Sequence, residues 1–150
     1  MIPIFLLPEE EQYFSELLER SSGVTRKIAV GELFYHGFQG EVPELHDLRT
    51  LWMSPLQERA HDYARWGCQD RVPGMIELSA RHDLEFNVLN LDGPAFLSRF
   101  NYTGHIHYAT KLHLWAHRHG VQGAVDGTEV LSFRAASDFE VIRVQLLRAA

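Results

Sequence analysis

Apolar positions along this chain change their period several times, and each change marks an element. After Pro8 and the acidic run Glu9-Glu10-Glu11, the residues Tyr13, Phe14, Leu17 and Leu18 recur at helical spacing up to Ser21-Ser22-Gly23. Proline in the first turn and carboxylates at the positive end of the helix dipole suit a helix start, so the pattern predicts a helix from Pro8. The apolar residues before it read as a short strand or an arm. Ala29 to Phe38 reads as a strand, Gly40 to Arg49 as a polar loop, and Thr50 to Met53 as a short extended piece. Ser54-Pro55-Leu56-Gln57 predicts a second helix, with Ser54 as cap, Pro55 at the first helical position and Gln57 at the capping-box position. Leu56, Ala60, Tyr63 and Ala64 then share one buried face, and Gly67 ends the helix.

Further along, Met75 to Ser79 is a strand candidate and Leu84 to Leu91 an extended stretch. Pro94 to Phe100 reads as a short helix. His105 to His119 reads as a longer one, with Tyr108, Leu112, Trp115 and Ala116 as its apolar stripe and Gly120 as its stop. Val121 to Val125, the turn Asp126-Gly127 and Val130 to Phe133 spell strand, turn, strand. Phe139 to Leu146 alternates as a last strand. Helices and strands are mixed without a regular βαβ rhythm, which indicates an α+β fold rather than a doubly wound sheet. No repeat or linker divides the chain, so one domain over residues 1–150 is expected.

Composition narrows the function classes. The chain is 45% hydrophobic with a formal charge of −6, so it lacks the general basic footprint of a sequence-blind nucleic-acid binder. The lone Cys68 can form no internal disulfide and fits a reducing compartment. Met1 to Pro8 is short, broken by Pro3 and Pro8, and has no basic leader or cleavage site, so it is not read as a signal peptide. No apolar run is long enough to span a membrane. The expected location is the cytoplasm, or a target cell reached without a cleaved leader.

Candidate chemistry comes from three stretches. Breaking the nicotinamide–ribose bond of NAD builds positive charge on the ribose, which a carboxylate stabilises. The flat leaving group is held by aromatic stacking. Its carboxamide needs paired hydrogen bonds, which backbone supplies best at a glycine. Tyr35-His36-Gly37, Trp52-Met53-Ser54 with Tyr63 on the next helix, and Glu129 after a tight turn supply each of these groups.

Those blocks resemble the ADP-ribosyltransferase superfamily, on the branch whose motif is His-Tyr-Glu, the branch of diphtheria toxin and the poly(ADP-ribose) polymerases. The family's aromatic-His-Gly block is matched by Tyr35-His36-Gly37. Its aromatic-hydrophobic-Ser block is matched by Trp52-Met53-Ser54, and the eleven-residue step to Tyr63 is the step between the polymerases' stacking tyrosines. Its catalytic glutamate opening a strand is matched by Glu129-Val130-Leu131-Ser132-Phe133. The lead-in from Gly120 to Gly123 also looks like small bacterial members.

The resemblance implies a split mixed β-sheet core with flanking helices and NAD as substrate. It implies that His36 fixes the adenosine-side ribose, Gly37 holds the carboxamide, and Trp52 and Tyr63 sandwich the nicotinamide. Glu129 would stabilise the ribosyl cation and orient the nucleophile, and Ser54 would cap its helix and support Glu129. The acceptor, protein or nucleic acid, is unnamed, with the loops Gln39 to Arg49 and Gln69 to Pro73 as its expected determinants. An inhibitory partner protein fits an enzyme of this type.

Four positions depart from the pattern. Phe38 follows His-Gly where the family often has Ser or Thr, and Trp52 replaces a tyrosine. Ala60 stands where the polymerases have a serine, and Gly127, two before Glu129, lacks the Glu or Gln of arginine-modifying members. They keep open an NAD glycohydrolase and a catalytically inactive binding domain on the same fold. The acidic charge counts against the RNA 2′-phosphotransferase relative. His105 with His107, and His113 with His117, have metal-ligand spacing but no acidic or Cys partner nearby, so no metal is assigned. Cys68 has no local activating base. Arg65, Trp66 and Arg71 are candidates for lining the cleft or a partner surface.

Overall fold

A computed structural model of the chain describes residues 5–47, 50–66 and 71–147. The expectations for Met1 to Ile4, Gly67 and Cys68, and for parts of both acceptor loops, lie outside the described residues. Within them the order is α1 (Pro8–Arg20), β1 (Thr25–Ile28), β2 (Leu33–Gln39), a 3-10 turn (Leu45–Asp47), β3 (Leu51–Met53) and α2 (Gln57–Arg65). There follow β4 (Pro73–Ala80), β5 (Leu84–Val88), α3 (Gly93–Phe100), α4 (His105–Arg118), β6 (Gly123–Asp126), β7 (Glu129–Ser132), α5 (Ala135–Asp138) and β8 (Phe139–Leu146).

The strands form two sheets, one of five in the order β1-β5-β6-β7-β3 and one of three in the order β2-β4-β8. Only β5 and β6 pair in parallel; the other neighbours are antiparallel. The fold is therefore α+β with mixed strand directions. Phe34, Phe38, Ile76 and Leu78 from the small sheet and Leu51, Met53, Phe86 and Val130 from the large one meet in a single core. A second core covers the other face of the large sheet, where Phe14, Phe96, Leu112 and Trp115 of the helices meet Ala124 and Leu131. The helix α2 lies on the small sheet, burying Ala60 and Ala64.

Several boundaries differ from the sequence expectation. Ala29 to Glu32 is a turn, not strand: Glu32 N–H bonds to Ala29 C=O, and Gly31 takes φ +83. That turn releases Thr25–Ile28 as a separate strand. The second helix starts at Gln57, not at Pro55, with Leu56 as an extended N-cap that makes no side-chain cap bond. Ser54 precedes a proline, which disfavours helical backbone, and its N–H and C=O are both taken by Tyr35. Its Oγ accepts from Leu56 N–H at 3.1 Å, so Ser54 turns the chain rather than capping the helix. Leu56 and Tyr63 are exposed, Tyr63 by 59%, so the buried face is only the Ala60–Ala64 stripe. The hairpin turn is Gly127-Thr128, one residue later than expected, because Asp126 still pairs with Glu129. The strand in Leu84 to Leu91 ends at Val88.

A candidate active site in the split between the sheets

The two sheets touch at one antiparallel bridge, between Tyr35 of β2 and Ser54 at the end of β3. Tyr35 N–H donates to Ser54 C=O at 2.8 Å, and Ser54 N–H donates to Tyr35 C=O at 2.9 Å. Beyond that bridge the strands part, β2 staying with β4 and β3 with β7. A cleft of about 410 Å³ lies there, within the usual range for small-molecule sites.

The strand period decides what the split exposes. Even-numbered residues of β2 and its flanks bond toward β4: Glu32 C=O accepts from Ala80 N–H and Gly40 N–H donates to Val72 C=O. Odd-numbered residues bond the other way, as Tyr35 does to Ser54. The same alternation aims the N–H and C=O of Gly37 into the split. Were the ladder to continue, the next bonded pair after Tyr35–Ser54 would be Gly37–Trp52. Instead the Trp52 carbonyl accepts from His36 Nδ1–H at 2.7 Å. The imidazole thus takes the acceptor that Gly37 would have used, and leaves Gly37 a donor and an acceptor side by side at the cleft wall.

This bond also sets the His36 tautomer. Because Nδ1 carries the proton, Nε2 is an acceptor. Burial pushes the His36 pKa below its ordinary value, against the opposing pull of the Trp52 carbonyl. The ring is therefore neutral at neutral pH.

Gly37 has a second reason to be glycine. A Cβ there would lie 2.1 Å from the carbonyl oxygen of Ala60 and 2.9 Å from the Ala64 nitrogen. The backbone of α2 can approach β2 only because that side chain is missing. Close approach brings Tyr63 to the cleft, where its hydroxyl donates to Glu129 Oε1 at 3.3 Å. Partial burial raises the Tyr63 pKa, and the charge and hydrogen bond of Glu129 add to the shift. Arg59, one turn earlier, reaches Thr128 Oγ1 at 3.3 Å from Nη2 and ties α2 to the hairpin turn.

All six residues singled out from the sequence, His36, Gly37, Trp52, Ser54, Tyr63 and Glu129, line this one cleft. Two expected roles differ. Ser54 caps no helix, and the hydroxyl that donates to Glu129 is that of Tyr63. Phe38, one residue past Gly37, is buried between the sheets against Gly74 and is not part of the wall. Arg65 and Trp66 are not among the lining residues either.

Sequence reasoning missed the far wall, made by Leu91, by Gly93 and Pro94 at the start of α3, by His105, Tyr108 and Ala109 of α4, and by Asp126. It also missed Arg59. Signals existed for two of these: Asp126 flanks the same turn as Glu129, and Arg59 stands four residues before Tyr63. Tyr108 gave none, since it sits in an apolar stripe and reads as core. The rings of His113 and His117 lie with centroids 4.3 Å apart, tilted by 43°, and His117 Nε2 is bonded to the Phe133 carbonyl. Among the described residues, no group of three His, Cys, Asp or Glu side chains can hold a metal ion. Among the described residues no helix is long and apolar enough to cross a membrane.

Compared with protein-family models, with curated proteins and with solved structures, the chain matches none.

Proposed function

We propose that the chain is an ADP-ribosyltransferase that cleaves the nicotinamide–ribose bond of NAD in this cleft and passes ADP-ribose to an acceptor. The observation that carries the reading is Gly37, whose backbone the strand alternation turns into the split and whose ladder partner's carbonyl is taken by His36, in the same cleft as Trp52, Tyr63 and Glu129. A primary carboxamide has one donor group and one acceptor, and pairs with such a strand edge. Trp52 and Tyr63 offer ring faces to the nicotinamide. Glu129 supplies negative charge where the ribose becomes positive. His36, neutral and with Nε2 as acceptor, suits a ribose hydroxyl. The split between two sheets at Tyr35–Ser54 agrees with the split mixed sheet that the sequence resemblance implies. Hydrolysis of NAD is the same bond cleavage with water as the acceptor.

Incubation with NAD carrying label in the ADP-ribose portion tests the reading. Release of nicotinamide is expected, with label moving to an acceptor for a transferase or to free ADP-ribose for a glycohydrolase. Absence of both NAD binding and nicotinamide release would sink the proposal.

A further inference from the structure

If the cleft handles NAD as proposed, Glu129 stabilises the ribosyl cation and orients the nucleophile, and a second group can take the proton that the nucleophile loses. Asp126 stands directly opposite Glu129 across the β6–β7 hairpin. Opposite residues of antiparallel strands put their side chains on the same face, and both carboxylates line the cleft. Gly127, at φ +59, makes the two-residue turn that holds them as neighbours. Their surroundings differ: Glu129 receives the Tyr63 hydroxyl, whereas Asp126 lies toward the Leu91 N–H and the α4 wall.

A second observation marks the same end of the cleft. Tyr108 is 2% exposed and lines the wall, and its hydroxyl has no hydrogen-bond partner among the described residues. Gly93 packs against its ring, where a Cβ would lie 3.2 Å away, so the ring has little room to turn. A buried hydroxyl without a partner is costly. A ligand oxygen placed between Tyr108 and Asp126 would satisfy it.

We propose that Asp126 is the general base of the transfer and that the acceptor is a neutral hydroxyl, of water or of an alcohol, held between Asp126 and Tyr108. A hydroxyl donates to the carboxylate and accepts from the phenol. A guanidinium has donors only and would leave the phenol proton without an acceptor. In the step, the C1–N bond of NAD breaks and its electron pair goes to the nicotinamide nitrogen. The acceptor oxygen bonds to C1, and its proton passes to Asp126 and then to solvent. Glu129 stands opposite Asp126, Tyr108 and Asp92 interact with it electrostatically, and His105 and Arg59 line the same cleft. Burial, and then the Asp92 charge, raise the Asp126 pKa against the pull of the Leu91 N–H.

The test compares Asp126→Asn with wild type in nicotinamide release from pH 4 to 8, with NAD binding and thermal melts as controls. The expected result is a loss of about 100-fold or more with NAD binding kept and the acid limb of the profile gone. Azide, a nucleophile with no proton to lose, restores release in Asp126→Asn but not in Glu129→Gln. Labelled product distinguishes water, giving free ADP-ribose, from an alcohol acceptor. Wild-type rates in Asp126→Asn, or no rescue by azide, overturn the base assignment and leave the cleft reading standing. A wild-type profile that stays flat down to pH 4 also overturns it, whether or not the variant folds. No nicotinamide release by wild type removes the cleft reading and the base together.

Discussion

Two glutamates, Glu10 and Glu129, sit in opposite circumstances, and the contrast separates what holds this molecule together from what it offers to a ligand. Glu10 is fully buried in α1 and accepts three hydrogen bonds, with both carboxylate oxygens engaged. Oε1 accepts from Lys111 Nζ at 2.9 Å and from Leu7 N–H at 2.8 Å, and Oε2 accepts from the Tyr102 hydroxyl at 2.5 Å. Lys111 also donates to the Phe5 carbonyl. One carboxylate thus fastens the N-terminal arm, α1, α4 and the loop after α3. Glu129 is half-buried, with one long bond from an exposed tyrosine. A carboxylate bonded through both oxygens stabilises; one with a single long bond in a cleft is available for chemistry.

The sharpest way to break the contrast is to strip Glu10 of its cation. Lys111→Met leaves a buried carboxylate uncompensated and is expected to cost about 3–5 kcal/mol of stability, read by urea unfolding. A loss under about 1 kcal/mol would mean that the network is decorative. Glu129→Gln should do the reverse. Nicotinamide release is expected to fall about 100- to 1,000-fold while stability stays within about 0.5 kcal/mol of wild type.

Gly37→Ala tests whether the two roles meet at one residue. Its Cβ cannot fit against the α2 backbone, so a loss of about 1–3 kcal/mol is expected, along with weaker NAD binding as Tyr63 is pushed from the cleft. Thermal melts and an NAD titration on the same sample separate the two effects.

The smallest effect is a pH signature of Glu10. Burial works to raise its carboxyl pKa, but the bonds from Tyr102, Lys111 and Leu7 and the Lys111 charge outweigh it and hold the pKa below normal. A carboxyl depressed in the folded state contributes stability above its unfolded value, about 4.3, and that stability is lost as pH falls through the lower folded value. Unfolding midpoints measured between pH 5 and pH 3 should therefore drop in wild type and change less in Glu10→Gln. Equal slopes in the two proteins would show that other carboxylates set the acid sensitivity.

The site was more legible in the sequence than its walls were. Trp52 and Tyr63, His36 and Gly37, and Glu129 stand in three short blocks whose order can be read directly, and all of them line one cleft. What reading could not supply was depth. Tyr63 looks buried by helical period, yet α2 rests on its two alanines because Gly37 lets the backbone come close, and the tyrosine is lifted to the rim. Tyr108 looks like ordinary core and is mostly that, but it also lines the cleft and its buried hydroxyl has no partner among the described residues. Ser54 carried every local mark of a cap, and a strand partner claimed its backbone.

Local pattern by itself determined the types of the longer elements, though not β1, the 3-10 turn or α5, together with the α+β class, the stripe of α4 and the hairpin that presents Glu129. These depend on contacts within a few residues, through period, proline, glycine and capping chemistry. Tertiary structure alone decided that β2 and β3 meet at a single bridge and then part. It decided that His36 takes the carbonyl Gly37 would have used, and that Asp126 and Tyr108 close the cleft from the far side. Each of those joins residues far apart in the chain, and only packing of the two sheets and the helical layer sets which backbone groups stay unpaired.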